Sequence, residues 1–328
     1  MISKFLKKVP AGMMVVPLLL GSLIITIFPN IWDIGGFTAA LFSSAGISTL
    51  VGVQLFCMGT CFHLKDISKG VKRGGVLVLA KFLVGAGLGI AVGKLCGPSG
   101  FFGLSSLAII CAVTNSNGSI YLTLMGSYGD EADRASFSIL PINDGPFLTL
   151  VALGASGLAN IPFIALLAAI IPLILGVLIG NLDIGMRDIF APIGTGIMPL
   201  VGFALGGSIN LLNIVKGGFS GILLGLITVF VGGAFVLLCD KFISRRPGYA
   251  AWAIATTAGN AVAVPAAVAA ADTALESVAA TASVQVAASV VVTSILAPLM
   301  ASWWAKKFGC PQMQAEIPLD EKQMDNAG

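Results

Sequence analysis

The sequence predicts an all-α polytopic membrane protein: ten transmembrane helices forming two inverted five-helix repeats, with helices 4 and 9 broken. Three observations predict it. The first is composition. Of 328 residues, 57% are hydrophobic and 10% charged, against roughly 25% charged in a soluble domain. Mean hydropathy is +0.99, and the apolar stretches recur throughout, so one helical bundle accounts for the length and no sizeable soluble domain fits. The second is duplication. MGTCFHLKDISKG from Met58 returns as LGGSINLLNIVKG from Leu205, so Gly59, Leu64, Ile67, Lys69 and Gly70 recur as Gly206, Leu211, Ile214, Lys216 and Gly217. VVPLLLGSLI from Val15 returns as IIPLILGVLI from Ile170, and Ala112-x-Thr114-x-x-Asn117 as Ala255-x-Thr257-x-x-Asn260. Three echoes in one order mark a duplicated unit. The third is the placement of positive charge, which orients the copies.

The spans lie near 11–28, 44–63, 75–95, 103–125, 135–156, 161–180, 190–210, 219–240, 249–271 and 280–304. Each follows from an apolar run of membrane-crossing length bounded by polar or turn-forming residues. The first and sixth carry the matching VVPLLLGSLI and IIPLILGVLI runs, and the second and seventh end in the glycine-centred motif. The third and eighth carry small-residue stripes, Gly85, Gly89, Gly93 and Gly217, Gly221, Gly225, which close helix packing explains. The fourth and ninth contain the Thr-x-x-Asn echo; the fifth contains Pro141-Ile-Asn-Asp-Gly-Pro146, and the tenth is apolar apart from small polar residues and Gln285. Residues 1–157 form the first repeat, 158–305 the second, and 306–328 a polar, disordered tail.

Lys and Arg stay cytoplasmic on insertion. With ten spans, Lys4, Lys7, Lys8, Lys65, Lys69, Lys72, Arg73, Arg134, Arg187, Lys241, Arg245, Arg246, Lys306, Lys307 and Lys322 fall on one side, and Lys94 and Lys216 on the other. Both termini are therefore expected in the cytoplasm. Because each copy holds five spans, the two face opposite ways, the arrangement of a secondary transporter. The N-terminus is not expected to be a cleaved signal, since no small-residue cleavage site follows its apolar run. The six cysteines, Cys57, Cys61, Cys96, Cys111, Cys239 and Cys310, have no zinc-like spacing and read as free thiols. No Walker or GxGxxG motif appears, which argues against an ATP-driven pump.

The fourth span carries Thr114-Asn115-Ser116-Asn117-Gly118-Ser119 at mid-membrane depth, and the ninth Thr256-Thr257-Ala258-Gly259-Asn260 followed by Pro265. Neither run suits an unbroken helix, and open backbone survives at that depth only in protein or beside a wet cavity. Half-helix N-termini at such breaks favour an anionic group, and freed carbonyls a cation or hydroxyl. Thr114, Asn115, Asn117, Gly118, Thr257, Gly259 and Asn260 are accordingly the candidate substrate-binding residues, with interhelical hydrogen bonding as the bland alternative. Asp144, beside Asn143, is the one carboxylate well inside a span, where ionisable groups belong to ion or proton paths. Lys81 is the one basic residue inside a span, placed to neutralise Asp144 or to meet the substrate's charge. His63, the single histidine, lies at an interface, with Asn210 as its counterpart. Gln285 falls roughly where Asp144 falls in the first copy.

These residues resemble the bacterial 2-keto-3-deoxygluconate permeases. The resemblance runs through KKVPAGMMVVPLLLGSLI, QLFCMGTCFHL, the LAKFLV around Lys81, FFGLSSLAIICAVTNSNGSIY, the DGPFLTLVALGASG after Asn143, GNLD at Gly180 and VVVTSILAPL, about 300 residues in all. Two positions depart from the family pattern: Asn143-Asp144 stands before Gly145-Pro146 in place of Glu-Ser, and Asn260 in place of a small residue. The resemblance implies proton-coupled uptake of a sugar acid across the inner membrane, and a fold like that of the bile-acid/sodium symporters, in which the two broken helices cross. No cofactor is implied beyond the coupling proton. Sodium remains an alternative, because Thr114, Asn115, Asn117, Thr257 and Asn260 offer hard oxygen ligands for symport of another organic anion. A channel lacks its repeated pore loop, and an enzyme lacks a nucleophile with its base or a metal cluster. The expected partners are a small sugar acid and the lipid bilayer, without nucleic acid; the oligomeric state stays open.

Overall fold

A computed structural model describes residues 12–62, 64–97, 100–143, 145–207 and 211–312, together with Ile2, Phe5 and Leu6. Among the described residues the chain is helical apart from turns and one isolated bridge between Phe101 and Leu104. The helices are α1 Gly12–Ile27, α2 Gly36–Phe42, α3 Ser44–Thr60, α4 Leu64–Cys96, α5 Ser106–Thr114, α6 Gly118–Tyr128, α7 Glu131–Ala135 and α8 Phe147–Ser156. The later part continues with α9 Phe163–Leu182, α10 Gly185–Gly196, α11 Met198–Gly206, α12 Leu211–Leu226, α13 Gly233–Phe242, α14 Tyr249–Ile254, α15 Val264–Ala271 and α16 Glu276–Phe308. A π-helical stretch, Ile227–Gly232, joins α12 to α13.

Six helical segments are long and apolar enough to cross a membrane, or seven if the pair around Ser43, bent by 68°, counts as one span. The three remaining expected spans are shorter, Gly12–Ile27, Phe147–Ser156 and Asn260–Ala271. Each shortfall has a local cause. Pro146 cannot continue a helix through its own N–H, and Gly145 takes φ +90°, so the expected span 135–156 is a short helix, two 3-10 turns (Ser136–Ser138 and Leu140–Asn143) and then α8. The expected span 249–271 is interrupted by non-helical backbone at 255–258. Elsewhere the helices outrun their expected ends: α4 begins eleven residues early because Arg73 is buried within it, and α16 continues through Lys306 and Lys307 to Phe308. Gly157, at the expected junction of the repeats, closes α8 in the left-handed conformation.

Two kinds of surface distinguish the helices. α9 is apolar on all sides and leaves Ile171, Ile174, Leu175 and Leu178 exposed, a pattern that fits lipid contact. α5 and α14 are apolar and wholly enclosed: Leu107 to Thr114 and Tyr249 to Ile254 are all buried. Packing between helices follows glycine. A methyl group on Gly59 would strike the Leu173 carbonyl, and one on Gly206 the Leu18 carbonyl. Likewise one on Gly176 would strike the Phe56 carbonyl, and one on Gly21 the Phe203 carbonyl. Contacts of α3 with α9 are thus matched, residue for echoed residue, by those of α11 with α1. The glycine stripes also pack as expected, Gly85 against Thr114, Gly89 against Ile110, Gly221 against Gln285 and Ala288, and Gly225 against Val292.

Candidate functional site

The two breaks interlock. Between α5 and α6 the backbone is extended at Asn115 and Asn117, and Asn117 then caps α6 by accepting from the Ile120 N–H at 3.0 Å. Between α14 and α15 the chain is open at 255–258 before a 3-10 turn, Asn260–Ala263, which has no side-chain cap. The Asn117 N–H donates to Thr256 Oγ1 at 2.8 Å, and Thr257 Oγ1 donates to the Ala112 carbonyl at 3.1 Å. Side chains of the second break thereby satisfy polar backbone of the first, which apolar surroundings demand.

A cavity of about 310 Å³ lies against this junction, a size suited to a small ligand. Ser116, Asn117, Gly118 and Ser119 form one part of its wall, and Ala258, Gly259 and Asn260 another. The facing wall comes from α3 through Gln54, Cys57, Met58 and Cys61, from α1 through Met13 and Met14, and from α10 and α11 through Ala191, Gly194, Thr195 and Met198. Asn260 Nδ2 reaches Met58 Sδ at 3.5 Å across the gap. The α6 start brings first-turn N–H groups and the positive end of its dipole to the cavity, whereas at the second start the Ala261 and Val262 N–H groups already donate to the Ala258 and Gly259 carbonyls at 3.2 and 3.4 Å, so that start contributes chiefly its dipole. No carboxylate stands among its described lining residues. The arrangement can hold an anion at one end and a hydrogen-bonding body at the other.

Of the residues expected at the site, Asn117, Gly118, Gly259 and Asn260 line the cavity. Thr114 and Thr257 stand behind it. Thr114 Oγ1 donates to the Ile110 carbonyl at 2.7 Å, as a helical threonine readily does, and Thr257 is held by Ala112, by Ser289 Oγ at 2.9 Å and by Thr293 Oγ1 on its own N–H. Asn115 is also structural: its amide donates to the Cys111 carbonyl, and its oxygen accepts from the Gly145 N–H at 3.0 Å. Asn143 is buried, with Nδ2 3.4 Å from Ser116 Oγ. Lys81 is 1% exposed and donates to the Thr256 carbonyl at 2.6 Å, bringing its charge to the back of the junction. Asp144, His63 and Asn210 lie outside the described residues, as do Lys4, Lys7, Lys8 and residues 313–328 of the tail.

Gln285 belongs elsewhere. It donates to the Gly103 carbonyl at 2.7 Å and to Ser220 Oγ at 2.9 Å, pinning the end of the bundle rather than the junction. Residues of α16 that do reach the junction are Ser289 and Thr293, which looked like ordinary small polar residues in an apolar span. The six cysteines are free thiols, and Cys57 and Cys61 line the cavity.

Two further clefts flank the site. One of about 590 Å³ shares Cys61, Ala191 and Thr195 with the central cavity and continues to Arg187 and Asp188. Another of about 420 Å³ lies by Ile47, Leu205, Glu276 and Ser283. Ile47 and Cys61 sit about 20 Å apart along α3 at 1.5 Å per residue, so these clefts lie toward opposite ends of α3, and the one at Cys61 shares residues with the central cavity.

The chain matches the family model described as 2-keto-3-deoxygluconate permease over residues 3–310. It is 48% identical over 306 residues to 2-keto-3-deoxygluconate permease 1 of Salmonella typhimurium, covering 93% of this chain and 96% of that protein. It is 37% identical over 325 residues to the 2-keto-3-deoxygluconate permease of Bacillus subtilis, covering 97% of each. With the permease of that name from Xanthomonas euvesicatoria it shares 36% identity over 311 residues, covering 92% of this chain and 96% of the other.

Proposed function

Because the chain belongs to the 2-keto-3-deoxygluconate permease family, a family of multi-pass membrane proteins, we propose that it is a secondary active transporter that takes up 2-keto-3-deoxygluconate with protons. One observation carries this reading: two half-helix N-termini converge on a single cavity free of described carboxylates. A sugar acid has a carboxylate for those N-termini and a hydroxylated body for the facing wall. Drawing a monoanion into a negative-inside cell costs about 2.3 kcal/mol per 100 mV, and one co-transported proton cancels that cost while adding the pH gradient.

In this reading the ten spans form two inverted repeats in the bile-acid/sodium symporter arrangement. The matched glycine contacts of α3 with α9 and of α11 with α1 support it, since a pseudo-two-fold axis generates such pairs. The basic-rich end, with Arg187 at the open cleft, faces the cytoplasm, and both termini lie there in an inner membrane. Clefts toward both ends of α3, one of them continuous with the central cavity, fit alternating access. Reporter fusions after Lys307 should then signal cytoplasm and fusions near Asn160 the outer face; a periplasmic C-terminus would overturn the inverted arrangement.

Asp144 is the proposed coupling carboxylate, motivated by its place beside Gly145, whose N–H binds Asn115 at the junction. Uptake of labelled 2-keto-3-deoxygluconate into proteoliposomes under imposed pH, sodium and voltage gradients is the test. Asp144→Asn should abolish uptake driven by a pH gradient and spare exchange; wild-type pH dependence in that variant would sink the assignment. A second reading, sodium-coupled symport of another small organic anion, is favoured by one observation: Asn143 Oδ1 is buried beside the junction with no hydrogen-bond partner among the described residues. Uptake that follows the sodium gradient alone would establish it.

A further inference from the structure

Gln54 is 3% exposed, lines the central cavity, and its amide has no hydrogen-bond partner among the described residues. The amide is not sealed in protein but stands on the cavity wall, open to a polar ligand that can both donate to it and accept from it. Its position is not an accident of helix packing. Gln54, Cys57, Met58 and Cys61 follow i, i+3, i+4, i+7 spacing and form the single α3 face that meets the cavity. In the register that relates Gly59 to Gly206, the second copy has Val201 at this place, fully buried in a helix that packs without an amide there.

Depth along α3 orders the cavity. Cys61 is shared with the open cleft and marks the mouth, Met58 touches Asn260, and Gln54 lies one turn further in. A ligand whose anionic end sits at the half-helix starts would turn its remaining length toward this face. A carboxamide both donates and accepts and carries no charge, which matches hydroxyl groups and leaves the anion to the helix starts.

We propose that Gln54 is a specificity-determining residue that reads the hydroxyl-bearing end of the substrate. The proposal rests on the cavity being the substrate site and says how that site distinguishes a hydroxylated acid from a plain one. A site built to hydrogen-bond a hydroxyl discriminates strongly against an analogue lacking it, because its own polar group is then left unpaired.

The test uses the full chain in proteoliposomes and compares two six-carbon 2-oxo acids as competitors of exchange: 2-keto-3-deoxygluconate, and 2-oxohexanoate, which has no hydroxyls. Gln54→Leu should weaken the hydroxylated acid roughly tenfold while 2-oxohexanoate holds steady or binds better, since about 1.4 kcal/mol is one decade. Gln54→Met, which keeps an unbranched side chain, provides the same comparison if the leucine variant does not fold. Equal losses for both acids, or unchanged discrimination, would overturn the proposal. In parallel, peptide mass spectrometry of Cys61 after maleimide treatment of the wild type tests the cavity itself. Protection by 2-keto-3-deoxygluconate with unchanged discrimination removes only the role of Gln54; absence of protection removes the cavity reading and this proposal with it.

Discussion

The long helices α4 and α12 are fastened at echoed positions in two different chemistries. In α4, Arg73 Nε donates to Asp133 Oδ1 at 2.7 Å, and its two terminal nitrogens donate to Asp240. The Tyr249 hydroxyl donates to Asp133, and the Tyr121 hydroxyl to the Asp133 carbonyl at 3.1 Å. In the other helix the register that relates the echoes puts Ser220 at the place of Arg73, and Gln285 links Ser220 to the Gly103 carbonyl through neutral hydrogen bonds. Each cluster ties a long helix to the entrance of a broken one: Arg73 of α4 meets Asp133 of α7, which also binds Tyr249 at the start of α14, and Gln285 of α16 ties Ser220 of α12 to Gly103 just before α5. One is built on buried charge and the other on a neutral amide. On the proposed repeat, the position of the fastening was kept while its chemistry diverged. A buried ion cluster fixes arrangement strictly, because any broken member leaves an uncompensated charge; a neutral amide tolerates disturbance.

That contrast predicts a ranking. Arg73→Ala should cost about 3–5 kcal/mol, the usual consequence of leaving buried carboxylates unpaired, and should be read as loss of folded protein or a steep fall in Tm in detergent. Gln285→Leu should cost less, about 1–3 kcal/mol, because it orphans only the neutral Gly103 carbonyl and one bond to Ser220. If Gln285→Leu proves the more damaging, the distinction between charged and neutral fastening is wrong.

Asymmetry of the same kind marks the cavity. Asn117→Ala and Asn260→Ala should each weaken sugar-acid affinity by roughly tenfold, about 1.4 kcal/mol. Asn117 also caps α6, so its loss should lower thermal stability by a further ~1 kcal/mol, whereas Asn260→Ala should leave Tm nearly unchanged. Calorimetric binding and melting of the two variants side by side separate these roles.

The smallest effect lies at the edge of the charged cluster. Arg246 donates to Asp130 at 2.6 Å, with both side chains about a third exposed, so Arg246→Ala should cost at most about 1 kcal/mol. Partial burial pushes the Asp130 carboxyl up, but the Asp133 N–H and the Arg246 guanidinium outweigh it and hold its pKa below the ordinary 3.8. The stabilisation is therefore complete above 3.8 and is lost as pH falls through the lower folded value. Melting curves should show the difference between wild type and variant shrinking in that acid range; a difference that grows there would refute the pairing.

Much of this was legible in the chain. Asn117, Gly118, Gly259 and Asn260 declared themselves because Ser, Thr, Asn and Gly runs at mid-span cannot propagate an apolar helix. Thr114 and Thr257 belonged to the same runs but turn to backbone, since a hydroxyl finds a carbonyl more readily than a cavity; spacing does not say which way it will rotate. Arg73 was counted with the interfacial charges, because Asp133 and Asp240, which bury it, lie far away in sequence. Gln54 gave no signal at all: one amide in an apolar run reads as helix contact until the facing wall is known. The π-helical Ile227–Gly232 was equally silent, being as apolar as its neighbours.

The matched glycines have a mechanical meaning. At Gly21, Gly59, Gly176 and Gly206 the helices meet backbone to backbone, and a carbonyl, unlike a side chain, cannot swing aside. Such joints have no slack. Sliding α1 along α11, or α3 along α9, would drive main chain into main chain at once, so these pairs behave as stiff struts, and in the alternating-access reading proposed above the displacement that opens the cavity to each side in turn carries each strut whole.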